Sequence, residues 1–582
     1  MATRWRAHAT AMLLAAPWCM ASCSSASTSS SAPTTTDAGA PSIDDPGSKP
    51  AEPTEADTLL GTDRDATLAG LVKNIAGIQV VSTVGLARLG LSWEQALEPT
   101  RSRFRSAQTA RDVYYALLSL QRSYHDSHSY LDVQGVLSQP KEPPVFLPLR
   151  VDVEYSADGK SHEYVVTRSS PSFTSRVGSK IVAVDGKPMA AFEREILEWT
   201  DNASPEGLYA AAAQALEVRI PALMPSPNAG ATTRLTFEKN GATEDVALTW
   251  SKTPPARGSE PIDTCTSGID MAPSSDYAGR AAEHVGLNYC VYPTADPKTK
   301  IVRWFSFFYG YADFSGGDAG LEDFAPRLRD RLAVTSFTIP DNELPLYPGE
   351  TLPGGRLDEQ AMLLLDHRQL MGHLAAKGAA RVVFDVRENG GGSFDPIIVA
   401  DFAMAPFRQL ATQVVFGEGL KNEPSLLDDA GPTAKRAKTY LKANQEAQVS
   451  PLYPFICRTA ACGDADFTIT PPSPRLGASA VVITGPYCAS SCDNFAVLMK
   501  DAANARIVGM PARAADSPVR VNFTARLADG KSAASFVLTV AVNKRATGAV
   551  VEGVPAALDV AVFPSAATRG AMPEAVLAAV GW

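Results

Sequence analysis

The sequence predicts a multidomain α/β protein with a helical N-terminal part, a small β domain and a larger α/β core. Its 582 residues are enough for about four domain-sized units. Residues 56–121 follow a helical pattern, and residues 142–252 contain short strand-like runs. From residue 281 onward strands alternate with helices, which is typical of a mostly parallel sheet covered by helices.

The N-terminal segment predicts an exported protein. A basic start and a short apolar run over residues 11–20 are typical of a secretory signal, here assigned to residues 1–22. The run ends in Met-Ala-Ser-Cys23, which resembles the bacterial lipoprotein signal, whose cysteine carries the lipid. An ordinary signal peptide with an incidental cysteine is the alternative. Residues 23–58 are rich in Ser, Thr, Pro and Ala, so we expect a disordered tether there.

Composition excludes several classes of function. The chain is 45% hydrophobic and 20% charged, which is ordinary for a globular protein with a sizeable core. It has 63 acidic and 53 basic residues, a net charge of -10 and no basic run, which argues against nucleic-acid binding. No apolar run reaches the length of about 18 residues that a transmembrane helix needs. The expected membrane contact is therefore the lipid on Cys23 alone.

Cysteine usage favours disulfide bonds. Of eight cysteines, Cys19 would leave with the signal and Cys23 would carry lipid, so an even number remains. An even number in an exported protein favours full pairing, although sequence cannot choose the connectivity. Pairing neighbours closes the shortest loops, and buried free thiols are the alternative. A zinc site is disfavoured because no CxxC pair exists. The expected bonds join Cys265 to Cys290, Cys457 to Cys462, and Cys488 to Cys492.

After a helical domain over residues 59–141, residues 142–253 are expected to form a PDZ-like domain. Residues 178–187 read GSKIVAVDGK, which resembles the part of PDZ domains where a strand meets an Asp-Gly turn. Asp-Gly is a turn signal in its own right. PDZ domains bind extended peptides by strand addition. A small β domain that only packs against its neighbours is the alternative.

Two loops in the core, residues 254–582, are candidates for chemistry because each follows an apolar strand and precedes a helical run. Gly390, Gly391 and Gly392 follow the strand over 381–386, and Ser490 follows the strand over 480–484. Such glycines let backbone N–H groups approach a substrate. A serine at the start of a helix is either an N-cap or a nucleophile. A nucleotide site is disfavoured because neither GxGxxG nor GxxxxGK[ST] is present.

A serine nucleophile needs a base, and the polar loop at residues 123–129 offers one. His125 and His128 lie there, between a predicted helix and the strand-like run 130–133. Their HxxH spacing could also suit a metal pair, but no third ligand is evident. A solvated or structural histidine is the third possibility.

The two core loops together resemble the C-terminal processing (tail-specific) protease family. That family has a strand ending in Asp-x-Arg-x-Asn-x-Gly-Gly, as in residues 385–392, and a Ser-Ala-Ser-Glu loop, which residues 490–493 (SSCD) resemble. The resemblance implies a ClpP/crotonase-like core and Ser490 as the nucleophile. It also implies an oxyanion hole formed by backbone N–H groups of Gly391 or Gly392 and of Ser491. Neither cofactor nor metal is implied.

One departure points to a branch of this family. The Ser–Lys members carry a general-base lysine at the position where this chain has Ala515. Members of the tricorn branch instead use a Ser-His pair in the N-terminal part, which acts together with the core serine and a late glutamate. Ser127, His128 and Glu552 match those residues. The match implies that His128 takes the proton of Ser490, while Ser127 or Glu552 orients the imidazole or the substrate amine.

The resulting prediction is an exported cell-envelope lipoprotein that cleaves peptides or unfolded protein tails through an acyl-enzyme. Cys492 is a rival nucleophile unless it is bonded to Cys488. The family likeness extends to interphotoreceptor retinoid-binding protein, so a non-catalytic ligand- or peptide-binding protein is an alternative. An esterase using the same serine is another. Substrate sequence and oligomeric state stay open.

Overall fold

The computed structural model describes the chain from residue 53 to Trp582, apart from residues 80–82, 203, 255–274, 278, 308–358, 393, 395, 458–461, 474 and 517–518. The predicted signal peptide, most of the predicted tether, Cys23 and Cys265 lie outside the described residues. The first helix begins at Glu55, so the tether ends before its predicted boundary at residue 58. Thr54 caps this helix by accepting the Asp57 N–H through its side chain.

The helices of the described residues are α1 (Glu55–Leu60), α2 (Arg64–Ile78), α3 (Thr83–Leu89), α4 (Trp93–Ser106), α5 (Ala110–Arg122), α6 (Met189–Leu197), α7 (Pro205–Glu217), α8 (Glu359–Ala376), α9 (Ile397–Ala400), α10 (Glu418–Asn422), α11 (Pro432–Ala443), α12 (Ser491–Ala503) and α13 (Met572–Ala579). None of them has the length and hydropathy needed to cross a bilayer.

The strands of the same residues are β1 (Tyr130–Gln134), β2 (Val145–Phe146), β3 (Leu149–Tyr155), β4 (His162–Ser169), β5 (Lys180–Val184), β6 (Lys187–Pro188), β7 (Val218–Arg219), β8 (Thr232–Lys239), β9 (Ala242–Thr249), β10 (His284–Val285), β11 (Tyr289–Pro293), β12 (Thr299–Trp304), β13 (Arg381–Asp385), β14 (Phe407–Arg408), β15 (Ala411–Val414), β16 (Tyr453–Pro454), β17 (Thr468–Ile469), β18 (Ser479–Thr484), β19 (Arg506–Gly509), β20 (Arg520–Arg526), β21 (Ala533–Thr539), β22 (Ala541–Lys544) and β23 (Val560–Ala561).

Helices α1 to α5 form the N-terminal part, and local sequence signals explain where they begin. Ser92 and Thr109 precede α4 and α5, and each forms a capping box with the residue three positions later. Helix α5 is buried along most of its length, including Val113 and Leu117. It ends at Arg122, immediately before the polar loop that carries His128.

The segment from β3 to β9 is a separate sheet that packs on α6 and α7. Its strands pair in the order β3-β4-β5-β8-β9, with β6 paired to β5. The predicted Asp-Gly turn joins β5 to β6, and both Asp185 (φ 49°) and Gly186 (φ 77°) have positive φ. Phe192 of α6 and Leu216 of α7 pack with Ile181 and Phe237 of the sheet.

The core sheet has the order β10-β11-β12-β13-β18-β19-β23 within the described part of the chain. Strands β12, β13, β18, β19 and β23 pair in parallel, and β10 and β11 pair antiparallel at one edge. Alternate residues of the apolar run in β13 enter different clusters. Val382 and Phe384 join one cluster, and Val383 joins the other. Burial on both faces explains why this strand is apolar throughout.

One predicted element is shorter than expected. The helical run predicted over residues 396–404 forms only α9, which ends at Ala400. Beyond it the chain makes turn hydrogen bonds, such as Phe402 N–H to the Val399 carbonyl at 3.0 Å. The next strand, β14, begins at Phe407 and pairs with β17, so the chain becomes extended soon after these turns.

A small antiparallel sheet with the order β1-β21-β20 joins the N-terminal part to the core. Tyr130 of β1 opposes Val537 of β21, and Asn522 of β20 opposes the same valine from the other side. This pairing connects segments about four hundred residues apart in sequence and brings the His128 loop to the carboxyl end of the core sheet.

Candidate active site

Ser490 lies between the end of β18 and the first residue of α12. Its side chain makes no capping hydrogen bond to the helix, so of the two roles left open by sequence it does not act as an N-cap. Its hydroxyl oxygen lies 3.0 Å from Nε2 of His128. The structure therefore brings together the serine and the histidine that the sequence singled out, and both side chains keep some solvent exposure.

The backbone of Ser490 is held in an uncommon conformation. Its φ is 57° and its ψ is -121°, a region that costs a residue with a side chain about 1–3 kcal/mol. The Ser490 N–H donates to the Ala515 carbonyl at 2.7 Å, and the Ser490 carbonyl accepts the Asn494 N–H at 3.2 Å. A disulfide between Cys488 and Cys492 closes the same turn. These bonds fix the direction in which the hydroxyl points.

Ala515, which the resemblance places at the lysine position of Ser–Lys relatives, contacts Ser490 by accepting its N–H through the backbone carbonyl. Its methyl group cannot accept a proton. The carboxylate of Asp493 in α12 holds this segment by accepting the N–H groups of Ala514 at 2.9 Å and Ala515 at 3.0 Å. Burial raises the pKa of Asp493 to about 8, with the nearby Asp516 acting in the same direction.

The glycine loop packs directly against the serine turn. A Cβ atom on Gly391, whose φ is 98°, would lie 2.7 Å from both the Ala489 carbonyl oxygen and the Ser490 Cβ. Only glycine fits this position. The Ser491 hydroxyl donates to the Gly392 carbonyl and ties the two loops together.

The oxyanion hole implied by the family resemblance needs one correction. The Gly391 N–H donates to Oδ1 of Asn389 at 2.9 Å, so it is not free to bind an oxyanion. The side-chain carbonyl of Asn389 reaches forward two residues, as in an Asx turn, which motif spacing could not reveal. Within the described residues, neither the Gly392 N–H nor the Ser491 N–H makes a hydrogen bond. These two groups are the remaining candidates.

His128 presents Nε2 to Ser490, while its Nδ1 is buried and has no hydrogen-bond partner in the described part of the chain. For Nε2 to accept the serine proton, the neutral ring must carry its own proton on Nδ1. Burial, followed by the Arg520 guanidinium, lowers the pKa of His128 to about 4. Arg513 acts in the same direction, whereas the carboxylates of Asp126 and Asp201 raise it.

Asp126 holds the His128 loop in place, and sequence reasoning did not single it out. Its Oδ1 accepts the His128 backbone N–H at 2.9 Å. Its Oδ2 accepts hydrogen bonds from Gln79 Nε2 at 2.7 Å, from the Ser129 hydroxyl at 3.0 Å and from the Thr539 hydroxyl. One buried carboxylate thus gathers donors from α2's C-terminal end, the loop itself and β21. The signal that the sequence offered for Asp126 was an acidic residue in the polar loop, two positions before His128.

Neither Ser127 nor Glu552 makes the predicted hydrogen bond to the imidazole within the described residues, and the alternative contact with a substrate amine stays a prediction. The Ser127 hydroxyl donates to the Asp201 carbonyl at 3.3 Å. Glu552 accepts the Asp516 N–H at 2.6 Å. Burial, Asp126, Asp516 and Asp493 raise the pKa of Glu552 well above its ordinary value, which favours its neutral form. Both residues therefore support the surrounding segments rather than the ring.

An ion-pair group joins three regions beside the site. Asp201, in the connection between α6 and α7, pairs with Arg122 at the end of α5 at 2.5 Å and with Arg513 of the core. Nearby charges from both arginines lower the pKa of Asp201 despite the opposing effect of its burial. This pairing fixes the ends of α5 and of the 512–515 segment against each other.

The predicted disulfides between Cys457 and Cys462 and between Cys488 and Cys492 are confirmed. Cys290 is disulfide-bonded, and the predicted bond to Cys265 reaches outside the described residues. Because Cys492 is bonded, it has no thiolate to offer and is not a rival nucleophile.

His125 is not part of the reacting pair. It is buried beside the end of α5 with a φ of 46°, and burial lowers its pKa to about 4. No group of three histidine, cysteine, aspartate or glutamate side chains in the described ranges could hold a metal ion.

Residues 365–551 match peptidase family S41, so the chain contains a domain of this family of serine proteases, which includes the tail-specific proteases. The resemblance seen in the sequence is confirmed at this level. The matched segment contains Gly391, Gly392, Ser490 and Ser491. It contains neither His128 nor Glu552. No curated protein sequence matches the chain.

Solved structures of CPAF share the fold. Mature CPAF complexed with lactacystin is 15% identical, with a TM-score of 0.56 covering 87% of this chain and 95% of that chain. Mature CPAF without that ligand gives 15% identity and a TM-score of 0.56, covering 88% and 95%. The photosystem II D1 C-terminal processing protease is 15% identical over 86% of this chain and 94% of its own, with a TM-score of 0.34. At such identities the CPAF likeness shows the fold alone.

Proposed function

We propose that this protein is a serine peptidase of the Ser-His type, with Ser490 as nucleophile and His128 as general base. The observation that carries the proposal is the 3.0 Å separation between Ser490 Oγ and His128 Nε2. This distance is within the range over which a base takes a proton from its nucleophile. The S41 domain supports peptides or proteins as the substrate class.

In the proposed reaction, Ser490 Oγ attacks the scissile carbonyl carbon as its proton passes to His128 Nε2. The carbonyl oxygen becomes an oxyanion that accepts hydrogen bonds from the Ser491 and Gly392 N–H groups. His128 then donates the proton to the leaving amine, and an acyl-enzyme forms on Ser490. Water, deprotonated by the same imidazole, hydrolyses the ester. Proton transfer is worth about 10²–10⁴-fold and one oxyanion donor about 10²–10³-fold.

The charges around His128 suit this role. A pKa of about 4 keeps the ring neutral, and so able to accept a proton, across the neutral pH range. The imidazolium that forms during the reaction lies near the carboxylates of Asp126 and Asp201, which both stabilise it. Ser127 and Glu552 have no part in the proposed proton path because their side chains bond elsewhere.

A fluorophosphonate probe tests the nucleophile directly. We expect wild type to be labelled, Ser490→Ala to be unlabelled, and His128→Ala to be labelled at least about 100-fold more slowly. The exposed Ser161 offers a matched control, so Ser161→Ala should label like wild type. Peptide mapping of the labelled protein should place the probe on Ser490.

Equal labelling of Ser490→Ala would contradict the assignment. A wild type that neither reacts with the probe nor cleaves any peptide of a mixed library, yet retains a peptide or lipophilic ligand, would favour the non-catalytic binding protein. Parallel amide and ester substrates separate the peptidase from an esterase.

We also propose that the protein is exported and held at the cell envelope through lipid on Cys23, on the strength of the Met-Ala-Ser-Cys23 sequence and the low-complexity residues after it. Incorporation of labelled palmitate into wild type and Cys19→Ser, but not Cys23→Ser, is the expected result. Incorporation into Cys23→Ser would contradict it.

A further inference from the structure

Arg520 opens strand β20 at the same end of the small sheet as the His128 loop. Strand β1 runs antiparallel to β21, and β21 runs antiparallel to β20, so β1 and β20 point the same way. Tyr130 and Asn522 both oppose Val537. His128 lies two residues before Tyr130, and Arg520 lies two residues before Asn522. The two side chains therefore belong to the same end of the sheet.

A chain of contacts joins Arg520 to the histidine loop across β21. Arg520 opposes Thr539 in the strand register, so their side chains lie on one face. The Thr539 hydroxyl donates to Asp126, whose other oxygen accepts the His128 N–H. The influence of the guanidinium on His128 agrees with this placement, because Arg520 is the main charged group that lowers the pKa of the ring.

Arg520 differs from the other arginines near the site in having no partner. Arg122 and Arg513 both pair with Asp201. Arg520 makes no hydrogen bond or ion pair in the described part of the chain, although the residue is partly buried. Asp126, the nearest carboxylate in the network, already accepts four hydrogen bonds. A partly buried guanidinium with no carboxylate bonded to it keeps its donors free for a carboxylate from outside the chain.

We propose that Arg520 binds a carboxylate of the peptide substrate next to the scissile bond, so that the enzyme prefers peptides with an acidic group there. This inference rests on the proposed peptidase function. The planar guanidinium presents paired N–H donors that match a carboxylate, and such charge-assisted pairs are strong where solvent is partly excluded. The carboxylate can come from an aspartate or glutamate side chain or from the C-terminus of the peptide.

Binding of that carboxylate has a consequence for the base. Four charged groups act on His128: Arg520 and Arg513 lower its pKa, and Asp126 and Asp201 raise it. A substrate carboxylate on Arg520 offsets the largest of the lowering charges. The pKa of His128 then rises, so the acid limb of kcat lies at higher pH for an acidic peptide than for its neutral isostere.

The test uses full-length protein and peptide pairs that differ by Glu against Gln at each position flanking the cleaved bond, each made with a free C-terminus and as the C-terminal amide. Wild type should cleave the acidic member with a kcat/KM about 10- to 100-fold higher. Arg520→Gln should bring this ratio close to one, and Arg520→Lys should restore part of it. Loss of preference on amidation assigns the C-terminus, and loss on Glu to Gln assigns the side chain.

Arg526 provides the matched control, because it lies on the same strand and the same face at the opposite end of β20. Arg526→Gln should keep the wild-type ratio. If wild type cleaves acidic and neutral peptides equally, the inference is overturned whether or not Arg520→Gln folds. Fluorophosphonate labelling of Ser490 in the same preparation separates that result from failure of the peptidase proposal, in which wild type would not label.

Discussion

The loop that carries Ser490 and the loop that carries His128 meet at one hydrogen bond but are held by different interactions. The serine turn is fixed by a disulfide, by main-chain hydrogen bonds to Ala515 and by direct packing on Gly391. The histidine loop is fixed by side chains gathered around Asp126 from distant parts of the chain. The proposed nucleophile is thus positioned within the S41 domain, whereas the proposed base is positioned by a polar network in which only Thr539 belongs to that domain.

Because of this difference, we expect the two loops to be sensitive to different kinds of substitution. Steric change should disable the serine turn, because close-packed backbone cannot shift without moving Ser490. Change of charge or hydrogen bonding should disable the histidine loop, because its position and the pKa of the ring both depend on buried carboxylates.

The largest effect is expected from Gly391→Ala. The new methyl group would lie 2.7 Å from the Ala489 carbonyl and from the Ser490 Cβ, and the φ of 98° is unfavourable for alanine. Displacement of the nucleophile should slow fluorophosphonate labelling about 100-fold. Gly390 is the control, because a Cβ there meets nothing within 4 Å. Equal labelling of Gly391→Ala and Gly390→Ala would show that the packing does not position Ser490.

Asp126→Asn should have the next largest effect and acts on the other half of the site. An amide can still accept the His128 N–H, but its nitrogen faces donors at Gln79, Ser129 and Thr539. We expect a loss of about 1–3 kcal/mol in the free energy of unfolding and labelling about tenfold slower. Chemical denaturation and labelling rates measure the two effects.

The pH profile shows whether Asp126 acts on the ring electrostatically. In wild type the neutral ring is required, so the acid limb of labelling should lie near the pKa of about 4 rather than near 6.5. Removing the Asp126 charge lowers that pKa and moves the limb to lower pH. The exposed Asp132 is the control. An acid limb that moves upward in Asp126→Asn would contradict this account.

The smallest effect is expected from removal of the disulfide that closes the serine turn. Cys488→Ala with Cys492→Ala should lower the free energy of unfolding by about 2 kcal/mol and slow labelling by less than tenfold, because the main-chain bonds of Ser490 remain. The pair Cys457→Ala with Cys462→Ala opens a loop of similar length that is not part of the serine turn. It should lower stability without slowing labelling. Equal slowing in both pairs would point to a general loss of stability.

The sequence predicts those parts of the fold that depend on short stretches of neighbouring residues. The apolar run of β13 reads as a strand because its residues are buried on both faces, and Asp185-Gly186 reads as a turn because both residues adopt positive φ. The end of α9 differs from the prediction: the apolar run continues to Met404, but the helix ends at Ala400 and turn hydrogen bonds follow it.

The sequence predicts the two residues of the proposed catalytic pair but not the residues that hold them in place. Ser490 and His128 follow from motifs, which name residue types in order. Asp126, Arg520 and Thr539 are brought together by pairing of β1, β21 and β20, and no local pattern specifies that register. The sequence also does not predict which way these side chains point. The Ser127 hydroxyl donates to the Asp201 carbonyl, and Oδ1 of Asn389 accepts the Gly391 N–H.

The pairing of β1 with β21 also bears on when the proposed enzyme becomes active as the ribosome makes it. His128 is synthesised first, Ser490 much later, and the strand that anchors the histidine loop, Ala533–Thr539, last of the three. A nascent chain therefore already contains nucleophile and base while the segment that unites them has not emerged. We therefore expect the proposed pair of Ser490 and His128 to assemble only after residues 533–539 have been synthesised.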